Sequence, residues 1–314
     1  MIQNFDVISI GSSTVDIFVK SKDFIYDKKL LSLKASSKNE IDQSLFCSGG
    51  GASNSAVAFS RLGLKSACIS LIGNDSLSHY LYQDFQKNKV FDKFLAIDKK
   101  NDTDFSVILV APDGTRSILT ARGYSSLREK QIKWSQIKKV QWFYVSSLEG
   151  NIDLLEKIIG FAHENQIKIA LNPGKREIKQ SKKLLSLIKL VDFLSLNQEE
   201  AEMLLDLSSH DDNLFNQIHT LKIPIVTITN GRQGAYALFD KKHYFSPSAQ
   251  TNPVDETGAG DSFGAAFVSA LIYKKSPQEA LYWAITNSAS VVSRLGSKDG
   301  LLTLKQINSF IYKS

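Results

Sequence analysis

The sequence predicts an α/β protein with a mostly parallel central sheet, helices on both faces of that sheet and a small β-sheet lid. Two patterns carry the prediction. From about residue 141 onward, short apolar segments alternate with segments of helical period, as expected for a parallel sheet covered on both faces. Between residues 94 and 122 a hairpin pattern interrupts this alternation, which indicates a second, smaller sheet.

A length of 314 residues allows one large domain or two smaller ones, and the composition is that of an ordinary globular protein. We expect a single domain over residues 1–314. The net charge of +6 comes from scattered lysines and arginines without interleaved aromatic residues, so we predict no nucleic-acid surface. No segment approaches the roughly 20 apolar residues of a membrane span. The two cysteines fit a reduced compartment rather than a disulfide framework, and we expect a cytoplasmic location. The five histidines lack ligand spacing, so we expect no protein-bound zinc.

The first segments are two apolar strands. One is predicted over residues 5–11 and the next over residues 15–19, with Asp16 as its only charge. A carboxylate in an apolar strand costs free energy unless it is paired or bound. Asp16 therefore either grips the hydroxyls of a polyol ligand or caps the turn that precedes it, and the local pattern does not separate the two.

A glycine-rich loop at Gly49, Gly50 and Gly51 leads into a helix of small residues that is predicted over residues 55–63 and stops at Gly63. The loop either supports a small polar ligand, with Asn54 as a donor, or is a plain turn. A strand over residues 67–73 and a capped helix over residues 77–85 follow.

The lid is predicted from two inserts, approximately residues 14–46 and 93–122. Its hairpin turns at Pro112-Asp113-Gly114. A second sheet over a cleft can exclude water from a reactive phosphate. Arg116 and Arg122 lie on or beside this hairpin, and their role is left open.

Polar residues follow several strands of the regular βα part, where ligands of parallel sheets bind. Asn197 and Glu200 fit a helix capping box, or alternatively a pair that orders water around a magnesium ion. Thr229 to Gly234 forms a turn that either shapes a nucleotide site or starts a hairpin. The strands are predicted at 142–145, 167–171, 192–196 and 225–229, and the helices at 151–165, 181–190, 198–207 and 213–222.

A small-residue turn over residues 254–263 precedes a buried helix over residues 264–273, and a capped helix then runs from Ser276-Pro277 to about residue 295. The N–H groups of Gly258, Ala259 and Gly260 would form an anion site, because helix N-termini carry unpaired donors and partial positive charge. Asp261 sets a proton acceptor beside that site, which is the combination that phosphoryl transfer to a hydroxyl needs. The plain alternative is an ordinary helix start.

Taken in order, these segments resemble the ribokinase-like (PfkB-type) carbohydrate kinases over nearly the whole chain. The similar segments are Gly49-Gly50 with Asn54 and the helix to Gly63, Asn197-x-x-Glu200, Thr229-x-Gly231-x-x-Gly234, and Asp255-x-Thr257-Gly258-Ala259-Gly260-Asp261. The resemblance implies a Rossmann-like three-layer fold. It also implies that ATP and Mg²⁺ are cofactors and that the acceptor is a small sugar.

The resemblance further implies residue roles. Asp261 would take the proton of the acceptor hydroxyl, and the N–H groups of residues 258–260 would hold the transferred phosphoryl group. Asn197 and Glu200 would organise Mg²⁺ through water. The acceptor would contact Asp16, Gly49, Gly50, Asn54, Glu149 and Asp261, and ATP would contact Asn197, Thr229, Gly231, Gly234, Gly258, Gly260 and Asn287.

Two implied features depend on the member of the family. Some members bind potassium, and the corresponding residues here are Asp255, Thr257, Val291, Arg294 and Gly296. Residues 296–300 depart from the commonest pattern, so the ion is left open. Lid strands in this family often pair across a homodimer.

We therefore expect a kinase that phosphorylates a hydroxymethyl group of a small sugar. A nucleoside kinase and a non-catalytic sugar or nucleotide sensor are the alternatives. A nicotinamide oxidoreductase is disfavoured, because no G-x-G-x-x-G segment follows the first strand.

Overall fold

A computed structural model describes residues 4–27, 30–111, 115–121, 126–211 and 213–311. The strands are β1 (Phe5–Ile10), β2 (Thr14–Lys20), β3 (Ile25–Asp27), β4 (Leu30–Ser32), β5 (Gln43–Gly49), β6 (Ser66–Ile69), β7 (Leu71–Gly73), β8 (Ala96–Asp98), β9 (Phe105–Val110), β10 (Arg116–Ala121), β11 (Val140–Val145), β12 (Lys168–Leu171), β13 (Phe193–Asn197), β14 (Ile225–Thr229), β15 (Ala235–Phe239) and β16 (Lys242–Ser246). The helices are α1 (Gly51–Arg61), α2 (Ser76–Lys87), α3 (Ile152–Glu164), α4 (Lys175–Ile178), α5 (Ser181–Leu187), α6 (Gln198–Leu205), α7 (Leu214–Thr220), α8 (Ala259–Ile272), α9 (Pro277–Val292) and α10 (Leu304–Ile311).

The central sheet has the order β16-β15-β14-β13-β12-β11-β1-β6. Its strands from β14 to β6 are parallel, and β15 and β16 add an antiparallel hairpin at one edge. The predicted mostly parallel sheet is therefore confirmed. Its parallel strands are mostly buried on both faces, which is why they appear in the sequence as nearly continuous apolar runs.

Helices cover both faces of this sheet. On β11, Phe143 and Val145 pack into a core shared with α3, α5, α6 and α7. Their neighbours Trp142 and Tyr144 point the other way, into a core shared with α1, α8 and α9. Successive side chains of a strand face opposite sides, so each core lies between the sheet and one layer of helices. The structure therefore has three layers.

The lid is a four-stranded sheet of order β10-β9-β2-β5, and we use the word for these strands. Both predicted inserts contribute, β2 and β5 from the first and β9 and β10 from the second. Two further strands of these inserts, β3 and β4, form a hairpin of their own, while β8 pairs with β7. The turn predicted at Pro112-Asp113-Gly114, and also Arg122, lie outside the described residues.

Local differences from the predicted elements arise at small residues. The strand predicted over residues 67–73 is divided at Ser70 into β6 and β7, which belong to different sheets. Helices α1 and α8 begin at Gly51 and Ala259, earlier than predicted. In both cases a glycine with positive φ precedes the helix, Gly50 at 87° and Gly258 at 79°. Glycine adopts this conformation without strain, so the chain enters each helix abruptly.

None of the helices in the described part of the chain has the length and apolar character needed to cross a membrane.

One ring pair across the sheet provides a test of the packing. Phe193 of β13 stacks on Phe267 of α8 with centroids 5.0 Å apart, and both side chains are fully buried. We expect Phe193→Ala to lower the free energy of unfolding by about 3–5 kcal/mol, because it removes a ring and leaves a cavity. Urea denaturation measures this. Phe245→Ala, at a ring that is 45% exposed, is the control. A loss no larger than that of the control would contradict the packing.

Candidate active site

The N-termini of two helices meet at the carboxyl edge of the central sheet. Asn54 in the first turn of α1 donates from Nδ2 to Oδ2 of Asp261, the third residue of α8, over 2.8 Å. Gly51 fits between them and Ser146, which follows β11. A Cβ built at Gly51 would lie 2.7 Å from Ser146 Cβ and 3.2 Å from Asp261 Oδ1. The glycine is therefore required for this close approach.

Asp261 is half-buried, and its surroundings act on its charge in opposite directions. Burial raises the pKa of its carboxyl above the usual value. The hydrogen bond from Asn54 and the positive charge of Lys298 lower that pKa, while the negative charge of Asp16 raises it. The position in the first turn of α8 also favours a carboxylate.

Free backbone donors stand beside Asp261. The N–H of Ala259 donates to the carbonyl of Glu256 (3.2 Å), and the N–H of Ser262 to that of Gly258 (2.9 Å). Within the ranges that the structure describes, the N–H groups of Gly258, Gly260 and Asp261 have no acceptor. Of the three N–H donors expected at residues 258–260, those of Gly258 and Gly260 are therefore available to a ligand. The N–H of Ala259 is used within the turn.

The glycine loop lies against Asp16. β2 and β5 pair through Thr14 and Gly49, and a Cβ at Gly49 would collide with the Asp16 carboxyl. Asp16 is 5% exposed, although it sits in a strand of the lid. The structure therefore brings Asp16, Gly49, Gly50 and Asn54 to the same side of Asp261.

Glu149 borders a small cavity that continues this side of the site. The cavity is lined by Gly11, Ser12, Ser13, Leu71, Asp104, Leu127, Ser147, Leu148 and Glu149. Glu149 has φ of 57° and forms an ion pair with Arg176 at 3.0 Å. Its loop is anchored by the buried Glu177, which accepts from the N–H groups of Leu148 (2.9 Å) and Gly150 (2.7 Å).

Asn197 and Glu200 form the capping box that the sequence predicts as one of two alternatives. Asn197 Oδ1 accepts from the Glu200 N–H (2.8 Å), and Glu200 Oε2 accepts from the Asn197 N–H (3.0 Å). Burial raises the pKa of Glu200, which the bond from Asn197 and the charge of Lys175 partly oppose. The cap uses only part of the acceptor capacity of the carboxylate, so it does not exclude a second role.

The remaining residues of the predicted ATP site divide into two groups. Thr229 pairs in register with Asn197, and Gly231 and Gly234 shape the following turn with φ of 48° and 107°.

The side chain of Asn287, by contrast, is fully buried. It donates to the Ser262 carbonyl (2.9 Å) and accepts from the Leu302 N–H (3.0 Å). The structure does not bring Asn287 to the cleft, and its side chain holds α8 to α9.

Of the predicted potassium residues, Asp255 has a fully buried side chain that contacts Thr257 and Gly296. Its carboxylate accepts from the N–H groups of Thr257 (2.9 Å) and Gly296 (2.8 Å) and forms an ion pair with Arg116. The carbonyl of Val291 accepts from the N–H of Arg294 (3.0 Å).

A buried lysine near the site has no counterpart in the sequence prediction. Lys298 is 5% exposed and donates to Asp84 (2.8 Å) and to Ser48 Oγ (2.6 Å). Its neighbour Ser297 donates to Asn54 Oδ1 (2.8 Å), the residue that holds Asp261. The only available signal was the departure of residues 296–300 from the commonest pattern.

The chain matches the family described as pfkB family carbohydrate kinase over residues 4–304. It belongs to this family and is a carbohydrate kinase. A ribokinase from Haemophilus influenzae is 29% identical over 269 residues, covering 84% of this chain and 87% of that protein. A putative ribokinase II from E. coli, solved in complex with ATP and Mg²⁺, has the same fold with a TM-score of 0.84 at 19% identity, covering 98% of this chain and 99% of that one. An adenosine kinase from Sinorhizobium meliloti also shares the fold, with a TM-score of 0.81 at 19% identity, covering 99% of this chain and 100% of that one.

The opposing effects on the pKa of Asp261 predict that this pKa will change in a variant, and the change can be measured without substrate. Asn54→Ala removes a hydrogen bond that lowers the pKa of Asp261, so we expect that pKa to rise above the wild-type value. Carbon-13 NMR titration of labelled aspartate measures it, with Asp261→Asn to assign the signal. Ser55→Ala is the control, because the Ser55 hydroxyl bonds Ser9 Oγ and the carbonyl of Gly51. An unchanged or lower pKa in Asn54→Ala would contradict the assignment.

Proposed function

We propose that this protein transfers the γ-phosphoryl group of ATP to a hydroxymethyl group of a small sugar, with Asp261 as the general base. One observation carries the proposal. The Asp261 carboxylate lies beside the unpartnered N–H groups that begin α8, so a proton acceptor and an anion-binding site share one position.

In the proposed step, Asp261 accepts the proton of the acceptor hydroxyl as the hydroxyl oxygen bonds to the transferred phosphorus. The N–H groups of Gly258 and Gly260 stabilise the charge on the phosphoryl oxygens. Asn54 keeps the Asp261 carboxylate oriented. Because phosphoryl transfer needs little covalent help from a protein, most of the acceleration comes from positioning and electrostatics.

The phosphate side of the site is formed by the edge at Asn197, Glu200, Thr229, Gly231 and Gly234. The complex of the E. coli protein with ATP and Mg²⁺ supports the same ligands here. Mg²⁺ retains several waters when it binds proteins, and Glu200 keeps lone pairs that can accept from such a water. The bound ion would supply positive charge between the phosphates.

The acceptor side favours a small polyol. Asp16, Asp104 and Glu149 can accept hydrogen bonds from hydroxyl groups, and the leucines of the cavity provide apolar contact. The relation to the Haemophilus influenzae ribokinase supports a sugar as well. A cytoplasmic location, where ATP and free sugars meet, stays part of the proposal.

A nucleoside acceptor is the second candidate, because the Sinorhizobium meliloti adenosine kinase has this fold. Bases are usually held by stacking on aromatic rings. No aromatic residue lines the cavity among the described residues, so the lining favours the sugar. A non-catalytic sensor has no need for a carboxylate beside an anion site, which argues against that alternative.

We also propose that the protein forms a homodimer through the lid. A row of apolar side chains crosses its four strands in register at Phe46, Ile17, Val107 and Leu119. Phe46 is 43% exposed and Leu119 is 61% exposed. A second copy of the lid would cover such a row, because the same surface is available on each copy.

Asp261→Asn tests the proposed base. We expect kcat to fall by about 10³-fold or more, because general base catalysis contributes on the order of 10²–10⁴ and the amide cannot accept the proton. ATP affinity, measured by calorimetry, should stay within about threefold, since the N–H donors remain. The assay is ATP consumption against a panel of sugars and nucleosides, and Asp153→Asn at a surface ion pair is the control. Near-normal turnover in Asp261→Asn would exclude this base, and no consumption by the wild type would favour a sensor.

Leu119→Asp tests the dimer. Sedimentation analysis should give a mass of two chains for the wild type and of one chain for the variant, because a carboxylate in the apolar row would be desolvated on pairing. Lys130→Asp, an exposed charge change outside the lid, should leave the mass unchanged. A wild-type protein that stays monomeric would refute the proposal.

A further inference from the structure

A buried ion pair joins the lid to the turn that begins α8. Asp255 is fully buried, and its carboxylate receives donors from the turn (Thr257 N–H), from the segment after α9 (Gly296 N–H) and from the lid (Arg116 Nη1). The Arg116 side chain is 20% exposed and also reaches Thr257 Oγ1 (3.4 Å). Three separate elements therefore meet at one carboxylate.

Arg116 lies on the face of the lid that carries Asp16. Arg116 of β10 pairs in register with Val110 of β9, and Val110 pairs with Lys20 of β2. Lys20 lies four residues after Asp16 on the same strand. Because strand side chains alternate with a period of two, these positions share a face. Arg116 therefore reaches Asp255 from this face of the lid, and moving the lid strand away from the turn would break the ion pair.

Asp255 connects to Asp261 by two routes. Along the chain, it fixes Thr257, which directly precedes the positive-φ Gly258 at the start of α8. Through space, it fixes Gly296, and the adjacent Ser297 holds Asn54, which in turn holds Asp261. A change at Asp255 would thus reach both the N–H donors and the proposed base.

The same contacts bear on the implied potassium ion. A potassium ion needs oxygen acceptors around it, but Asp255 is surrounded by two backbone N–H donors and a guanidinium. The residues present do not fit a free monovalent cation, since Arg116 already supplies positive charge to the carboxylate.

We propose that Arg116 is a positioning residue of the lid. Its guanidinium takes the place of a free cation at Asp255 and couples lid closure to the geometry of the turn at residues 255–261. A buried carboxylate that loses its partner is strongly unfavourable, so withdrawal of Arg116 on lid opening would loosen the turn. The inference rests on the proposed function, in which this turn holds the transferred group.

Hydrogen exchange of Arg116→Ala tests the coupling without any substrate. We expect faster amide exchange than in the wild type in two segments, the lid at residues 115–121 and the turn at residues 255–261. Lys20→Ala is the matched control, since it removes an exposed positive charge from the same face of the lid. Unchanged exchange in either segment of Arg116→Ala would overturn the coupling, whatever reaction the protein catalyses.

The kinetics of Arg116→Ala distinguish a positioning role of Arg116 from a general loss of structure. We expect kcat to fall on the order of 10- to 100-fold, with a smaller change in the KM for the sugar, because the bound groups are misplaced. Guanidinium ion, added well below denaturing concentrations, should restore part of kcat in Arg116→Ala, whereas tetramethylammonium should not. Arg116→Lys should retain more activity than Arg116→Ala. A kcat within about twofold of the wild type, or a folded variant without rescue, would overturn the proposal.

Two controls complete the test. The double variant Arg116→Met/Asp255→Asn removes both charges, so it should fold even if Arg116→Ala does not. Its activity should be low and should not respond to guanidinium. A rescue equal to that of Arg116→Ala would overturn the role of Asp255.

Wild-type activity should be the same within about twofold in potassium and in tetramethylammonium, because Arg116 supplies the charge. A strict requirement for potassium would refute the proposal that Arg116 takes the place of a free cation.

Discussion

The hydrogen bond from Asn54 to Asp261 is the contact on which the rest of the site depends. It joins residues 207 positions apart and fixes the N-terminus of α1 against that of α8. Two helix N-termini that point at one carboxylate concentrate donors and partial positive charge there. That arrangement offsets part of the cost of burying the Asp261 carboxylate, so the site can hold a proton acceptor and still bind anions beside it.

Buried charges beneath the site keep this contact in place. Lys298 pairs with Asp84, and Asp255, which pairs with Arg116, accepts from the Gly296 N–H. The segment at residues 296–298 is therefore held at both ends. Such pairs contribute little net stability, but each member is costly to remove alone. They therefore restrict the segment to one arrangement. Ser297 transmits that arrangement to Asn54, so the electrostatics of the reacting centre depend on residues that touch no ligand in the proposed reaction.

Local patterns predicted much of the fold and the centre of the site. The parallel sheet was predictable because its strands are buried on both faces, and Asp261 because small residues and a carboxylate occur together at a helix start. The long-range partners were not. Arg116 and Asp255 are 139 residues apart, and the pattern around each fits an ordinary surface residue and an ordinary turn. Asn287 is a different case, since the resemblance implies an ATP contact there, whereas in the structure its side chain bonds to buried backbone groups.

The most direct test of Asp261 as the base is a crystal structure with ADP, Mg²⁺, aluminium fluoride and the best acceptor found among the sugars. Such a complex mimics the transferred phosphoryl group. We expect fluoride ligands on the N–H groups of Gly258 and Gly260, and the acceptor hydroxyl within about 2.6–3.2 Å of the Asp261 carboxylate. An acceptor hydroxyl bound away from Asp261, or a fluoride group held elsewhere than at the start of α8, would contradict the proposal.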